Sequence, residues 1–97
     1  MSVLHLLRSS AFEKNDFKQC LKNLKPDDSL VLMDDGCYNL HHPLMNEARA
    51  ILDLANIHMV KTHAQARAVN CDQDITLIAL DDIILLTFSK DTVVTWQ

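Results

Sequence analysis

Glycine is nearly absent: the chain of 97 residues holds one, Gly36. Neither the GxGxxG turn of dinucleotide-binding folds nor the GxxxxGK[ST] phosphate loop can be written with a single glycine, so both kinds of nucleotide binding are poorly supported. Gly36 itself is expected where the backbone needs a positive φ or a close approach. Cysteine is sparse and odd in number. Cys20, Cys37 and Cys71 form no CxxC pair, which excludes a complete disulfide framework and zinc-finger spacing. Free thiols suit a reducing compartment, and a cytoplasmic location is expected. Basic residues are in the minority, with 9 Lys and Arg against 13 Asp and Glu, a net charge of −4 and a pI near 5.6. Lys and Arg form no cluster along the chain. Nucleic-acid binding leans on cationic contacts to phosphate, so no direct nucleic-acid partner is expected. No apolar run reaches the roughly 18 residues of a membrane span. The N-terminus is too short and too soon interrupted by Arg8 to read as a signal peptide.

What is present is aliphatic: 48% of residues are hydrophobic and only 5% aromatic. That content can fill one small core and leave apolar surface for an oligomeric interface. Residues 3–7 form an apolar run broken by His5, expected as a strand buried on both faces. Ser10 and Glu13 have capping-box spacing, with Asn15 or Asp16 as the alternative cap. Phe17, Cys20, Leu21 and Leu24 then recur at helical spacing, with Lys18, Lys22 and Lys25 on the wetter side. Residues 29–33 read as a second strand running into Asp34-Asp35-Gly36, and 39–42 as loop. Pro43 suits the first turn of a helix whose apolar stripe is Leu44, Ala48, Ile51, Leu52 and Ala55. Residues 57–61 read as a third strand and 62–69 as a short helix with Ala64, Ala68 and Val69 inward. A turn at 70–74 precedes a fourth strand at 75–80. Residues 82–88, capped by Asp81, read as helix or as another strand, and 92–96 as a terminal strand. Short connections and right-handed crossovers then give an α/β fold: a small, mostly parallel sheet with helices on both faces, flavodoxin-like in its three layers, as one domain over 1–97.

The opening Leu4-His5-Leu6-Leu7-Arg8-Ser9-Ser10, the Asp35-Gly36 after the second strand, and the ending Asp81-Asp82-Ile83…Leu86-Thr87…Trp96 together resemble the TusB/DsrH family over essentially the whole chain. The resemblance implies a DsrE-like fold. It also implies a heterohexamer with C-type and D-type sulfur-relay subunits, fed by a small persulfide carrier protein, that passes sulfur towards 2-thiolation of the tRNA wobble uridine. In that branch the sulfur-bearing cysteine is on the D subunit and this chain is non-catalytic. In the sulfur-oxidation branch the corresponding subunit has its own cysteine in the first helix, where Cys20 stands. The family often shows Ala-Arg-Gly-Leu after the third strand, and here the stretch is Ala66-Arg67-Ala68-Val69.

Cys20 is the sharpest candidate for chemistry. A persulfide carrier needs a thiolate and partial exposure, and Cys20 lies beside Leu21 on the apolar face. Cys37, at the carboxyl end of a strand where open sheets place ligands, has Asp34 and Asp35 nearby to raise its pKa. Cys71 sits in a polar turn beside Asp72 and Asp74. His41 and His42 are adjacent and read as loop surface or subunit contact, not as metal ligands, since neighbouring residues on a strand point apart. Trp96, the sole tryptophan, suits either an interface or a fold-back onto the core. No cofactor and no metal are expected. The first reading is a non-catalytic subunit of a sulfurtransferase relay. The alternatives are a direct carrier through Cys20 and an unrelated flavodoxin-like module with a ligand near Ser9, Ser10 and Gly36.

Overall fold

The computed structural model describes residues 2–71 and 75–97. The expected turn at 70–74 therefore lies largely outside the described residues. The described elements are β1 (Val3–Leu7), α1 (Asp16–Asn23), β2 (Ser29–Leu32), a 3-10 helix (Asp34–His41), α2 (Met45–Ile51), a 3-10 turn (Leu54–Asn56), β3 (Ile57–Val60), α3 (Lys61–Ala66), β4 (Thr76–Ile78), α4 (Asp82–Ser89) and β5 (Thr92–Trp96). The five strands form one sheet in the order β4-β3-β2-β1-β5, and every pairing is parallel.

That order decides which face each helix covers. The chain steps from β1 to β4 in one direction, so right-handed crossovers place α1, α2 and α3 on one face of the sheet. The return from β4 to β5 runs across the whole sheet, so α4 goes to the opposite face. Side-chain alternation follows the same split. Leu7, Leu30, Leu32, Ile57 and Met59 pack with Phe17, Cys20, Leu21, Met45, Ala48 and Ala64 on the three-helix face. Leu4, Val31 and Val60 pack with Leu6, Met33, Ile78, Ile83 and Leu86 on the α4 face. Both faces carry helices as expected, but unequally: three cover one face and a single eight-residue helix covers the other.

Local departures from the sequence reading have identifiable causes. Ser10 does not cap α1. Its carbonyl accepts from the backbone of Glu13 and Lys14 in a separate turn, its hydroxyl accepts from Phe12 N–H, and Asn15 occupies the N-cap. Residues 39–41, expected as loop, finish the 3-10 helix. Asn39 is wholly buried there, with its amide oxygen on Ala11 N–H at 2.7 Å and its amide nitrogen on Ser9 carbonyl at 2.9 Å. Pro43 precedes α2 by two residues. Met45 and Ala48 form its buried face, while Ala55 is exposed. Residues 82–89 are helical, not extended.

Ala68, expected inward, is exposed and has φ of 53°. It ends α3 in a Schellman arrangement, with Ala68 N–H on Gln65 carbonyl and Val69 N–H on Ala64 carbonyl. The left-handed residue of that motif is usually glycine, and here an alanine holds the position. Gly36 serves the other purpose glycine can serve. Its φ is not positive, but a Cβ there would lie 2.0 Å from the Leu7 carbonyl oxygen. The same oxygen accepts the Met33 N–H at 3.0 Å. The 3-10 helix is thus pressed onto the end of β1, which only a residue without a side chain permits.

Candidate functional site

The thiols come first, because sulfur chemistry requires an exposed thiolate. Cys20 projects from α1 into the larger core with 0% exposure. Burial, with a smaller contribution from the Asp28 charge, pushes its thiol up to about 12. A persulfide acceptor needs an exposed thiolate, and this placement runs against that requirement. The physical reason is its spacing: Phe17, Cys20 and Leu21 are the three buried residues of α1. Cys37 is equally buried, its Sγ 3.7 Å from the Leu32 carbonyl. Burial raises it to about 11, with the Arg67 charge opposing and Asp34 and Asp35 adding. Cys71 is partly exposed, its Sγ 3.7 Å from the Ile75 carbonyl. Its neighbours at 72–74 lie outside the described residues.

The carboxyl ends of the strands form a polar cleft of about 250 Å³ lined by Arg8, Ser9, Ser10, Lys14, Asp34 and Arg67, among others. It coincides with the ligand position of the binding-module reading. Four of its charges, Arg8, Asp34, Asp35 and Arg67, are engaged with one another. Arg8 Nε donates to Asp34 at 2.8 Å and Arg8 Nη1 to Gln97 Oε1 at 2.7 Å. Arg67 Nε donates to Asp35 at 2.9 Å. Ser9 Oγ donates to Asp16 at 2.8 Å. His63 Nδ1 accepts Asp34 N–H at 2.9 Å, so that nitrogen carries no proton. Its 3.5 Å approach to the Asp34 carboxylate is therefore not a salt bridge. Asp34 has φ of 50°, a turn conformation that aspartate tolerates. The cleft is a corner cross-braced by the Arg8–Asp34 and Arg67–Asp35 pairs.

Trp96 is half-buried. Its indole Nε1–H donates to His5 Nδ1 at 3.0 Å, and part of the ring packs on the larger core. His5 Nε2 in turn meets Asp28 at 2.9 Å. Asp28 is wholly buried and also accepts Val3 N–H at 2.9 Å and Lys25 N–H at 3.0 Å. Burial alone would raise the Asp28 carboxyl. The hydrogen bonds from His5, Val3 and Lys25 outweigh burial and hold it below the usual carboxylate range. The fold-back role of Trp96 is thus filled, while the rest of its ring lines a groove beside α1. His41 is exposed. His42 accepts Leu44 N–H at 3.0 Å and sets its ring edge-on to Phe12, centroids 4.6 Å apart. His41 and His42 line a different groove from Trp96, against α2. The three expected interface residues are therefore not one patch. Among the described residues, no group of three or more His, Cys, Asp or Glu side chains is placed to hold a metal ion.

The feature that residue-type motifs missed is the outer face of α4. Ile83 and Leu86 turn down onto the sheet. Ile84, Leu85 and Phe88 turn outward, with exposures of 59%, 68% and 83%. Leu80, just before the helix, and Val93, just after it, are also exposed. No charged residue lies between Asp82 and Lys90. A helix that is apolar all round is normally covered on all sides. The signal was present in Ile83-Ile84-Leu85-Leu86, a run with no polar side once it is helical.

The sequence matches the family described as DsrH like protein over residues 9–93. Among curated proteins no match is found. Among solved structures the chain resembles the solution NMR structure of protein Tm0979 from Thermotoga maritima. That similarity has a TM-score of 0.61 at 20% identity and covers 92% of this chain and 93% of the other. At that identity the structural likeness speaks for the fold, which is the same parallel α/β arrangement. Among the described residues no helix is long and apolar enough to cross a membrane.

Proposed function

The chain belongs to the DsrH-like family, and on that footing we propose that it is a non-catalytic subunit of a cytoplasmic sulfur-relay complex that passes persulfide sulfur towards 2-thiolation of the tRNA wobble uridine. A sulfur-relay-type role comes with the family. The finer reading has this chain hold a thiol-bearing D-type subunit and a C-type subunit in one heterohexamer, with a small persulfide carrier protein docking on the assembly.

The observation that carries the non-catalytic half is the placement of Cys20 and Cys37. Both thiols are fully enclosed and held protonated well above neutral pH. The subunit half is supported by the outer face of α4, whose exposed Ile84, Leu85 and Phe88 form a charge-free surface suited to a permanent contact. The alternative carrier role for Cys20 would require α1 to lift from the sheet and expose Phe17 and Leu21 along with the thiol.

Co-expression with C-type and D-type subunits, followed by mass measurement of the purified species in solution, tests the proposal. A stable complex containing this chain, lost on Leu85→Glu and Phe88→Glu together, is the expected result. A chain that stays alone in the presence of both partners overturns it.

A further inference from the structure

Charge is segregated more sharply in the fold than the composition suggests. Residues 14–25 hold Lys14, Lys18, Lys22 and Lys25 against Asp16 alone, a local balance of +3. The whole chain is −4, so the remainder carries −7. Elsewhere, Arg8 is engaged with Asp34, Arg67 with Asp35, and Lys90 with the Asp27 carbonyl. Lys18, Lys22 and Lys25 are exposed, and among the described residues no salt bridge engages their ammonium groups. The sequence reading found no basic cluster because these residues are spaced out along the chain. The helix gathers Lys18 and Lys22 onto one face, one turn apart.

Two grooves flank that face and share Lys22. The first, about 420 Å³, runs between α1 and β5, with Val3, Val94 and Trp96 as its apolar surface and Lys22, Asn23 and Lys25 at its edge. Its one carboxylate, Asp28, is buried and committed to three hydrogen bonds. The second, about 270 Å³, lies between α1 and α2, with Leu21 and Leu44 beside Lys18, Lys22 and a single carboxylate, Glu47.

We infer that the exposed face of α1 is a docking surface for an acidic, partly aliphatic segment of a partner protein, whose apolar side chains enter the two grooves while its carboxylates meet Lys18, Lys22 and Lys25. Charge complementarity selects an acidic occupant. The apolar groove surfaces select a polypeptide over a nucleic acid, because a phosphate backbone offers no aliphatic anchor and meets a chain that is otherwise strongly negative. The surface is separate from the outer face of α4, so it stands whether or not the subunit reading does.

Trp96 is the only tryptophan and lines the first groove, so its fluorescence reports occupancy. The probe is a synthetic peptide of glutamate and leucine, titrated into the full chain at low salt. The expected result is a saturable change that weakens with added salt and is reduced roughly tenfold or more by Lys22→Glu with Lys25→Glu, where like charges now meet. Lys61→Glu, an exposed lysine outside the grooves, should leave binding unchanged, and Lys22→Gln with Lys25→Gln should give an intermediate loss. Binding that ignores the charge reversals overturns the inference, as does no binding at all. Tighter binding of a single-stranded oligonucleotide to the same lysines would replace the protein partner with a nucleic acid. Self-association abolished by the same reversal would replace it with a second copy of this chain.

Discussion

The indole of Trp96 donates its Nε1–H to Nδ1 of His5 across 3.0 Å, tying the penultimate residue of the chain to the middle of β1. An indole N–H can only donate. Nδ1 of His5 is therefore an acceptor, the ring proton sits on Nε2, and the contact with Asp28 at 2.9 Å is a hydrogen bond to a carboxylate, not an ion pair. Nitrogen NMR of the imidazole should report the Nε2–H tautomer. Trp96→Phe, which leaves Nδ1 without its donor, should lower stability by about 1–2 kcal/mol in urea unfolding.

Gly36 should tolerate no side chain. Gly36→Ala places a methyl group within 2.0 Å of the Leu7 carbonyl, and backbone cannot yield as a side-chain tip can. A loss of about 2–4 kcal/mol is expected, read from the urea midpoint.

Ala68 should behave in the opposite way. It holds a left-handed φ of 53°, which costs an L-residue about 1–2 kcal/mol, while glycine brings an entropic penalty of about 0.5–1. Ala68→Gly should therefore stabilise the chain by roughly 0.5–1 kcal/mol, a rise of several degrees in melting temperature for a domain of this size.

Acid should weaken the fold in two stages. The Asp28 carboxyl is held below its ordinary value by its hydrogen bonds against the pull of burial. Its contribution is present above about pH 4 and is lost as pH falls through the lowered folded value. His58, almost wholly buried on β3, is lowered first by burial and then by the Lys90 charge. The folded chain binds that proton less readily than the unfolded one, so stability falls as pH drops below about 6.5. Urea midpoints measured between neutral pH and pH 5 should decline in the wild type. His58→Leu should flatten that decline, while Asp28→Asn should remove the steeper loss at lower pH.

On the outer face of α4, Leu85→Glu and Phe88→Glu should leave the isolated chain's stability within about 0.5 kcal/mol, because exposed positions contribute little to the fold. They should reduce binding of a hydrophobic dye and improve solubility. A large loss of stability would instead mean that these side chains pack within the chain.

Much of the architecture was legible because its signals are local. Short, largely apolar runs at 3–7 and 29–33 read as doubly covered parallel strands, and the spacing of Phe17, Cys20 and Leu21 fixed the inner face of α1. What escaped depends on distance. That Leu7 presses on Gly36, that Asn39 is buried to clamp the loop after β1, and that α4 alone crosses back beneath the sheet are consequences of strand order, which no local pattern encodes. The candidate site was less legible still. Cys20 was singled out by chemistry, but its environment is set by the three helices that share its face. The exposed apolar side of α4 emerged only once the sheet order left that helix without a neighbour.

The most direct test of a non-catalytic role is intact-protein mass spectrometry after incubation with a persulfide-loaded sulfur carrier, with the D-type subunit present and with Cys20→Ser in parallel. With Cys20 and Cys37 enclosed and protonated, this chain should keep its mass while the D-type subunit gains sulfur. A gain of about 32 Da on this chain, the mass of one sulfur taken up by an attacking thiolate, that disappears in Cys20→Ser would contradict the proposal and make the chain a carrier in its own right.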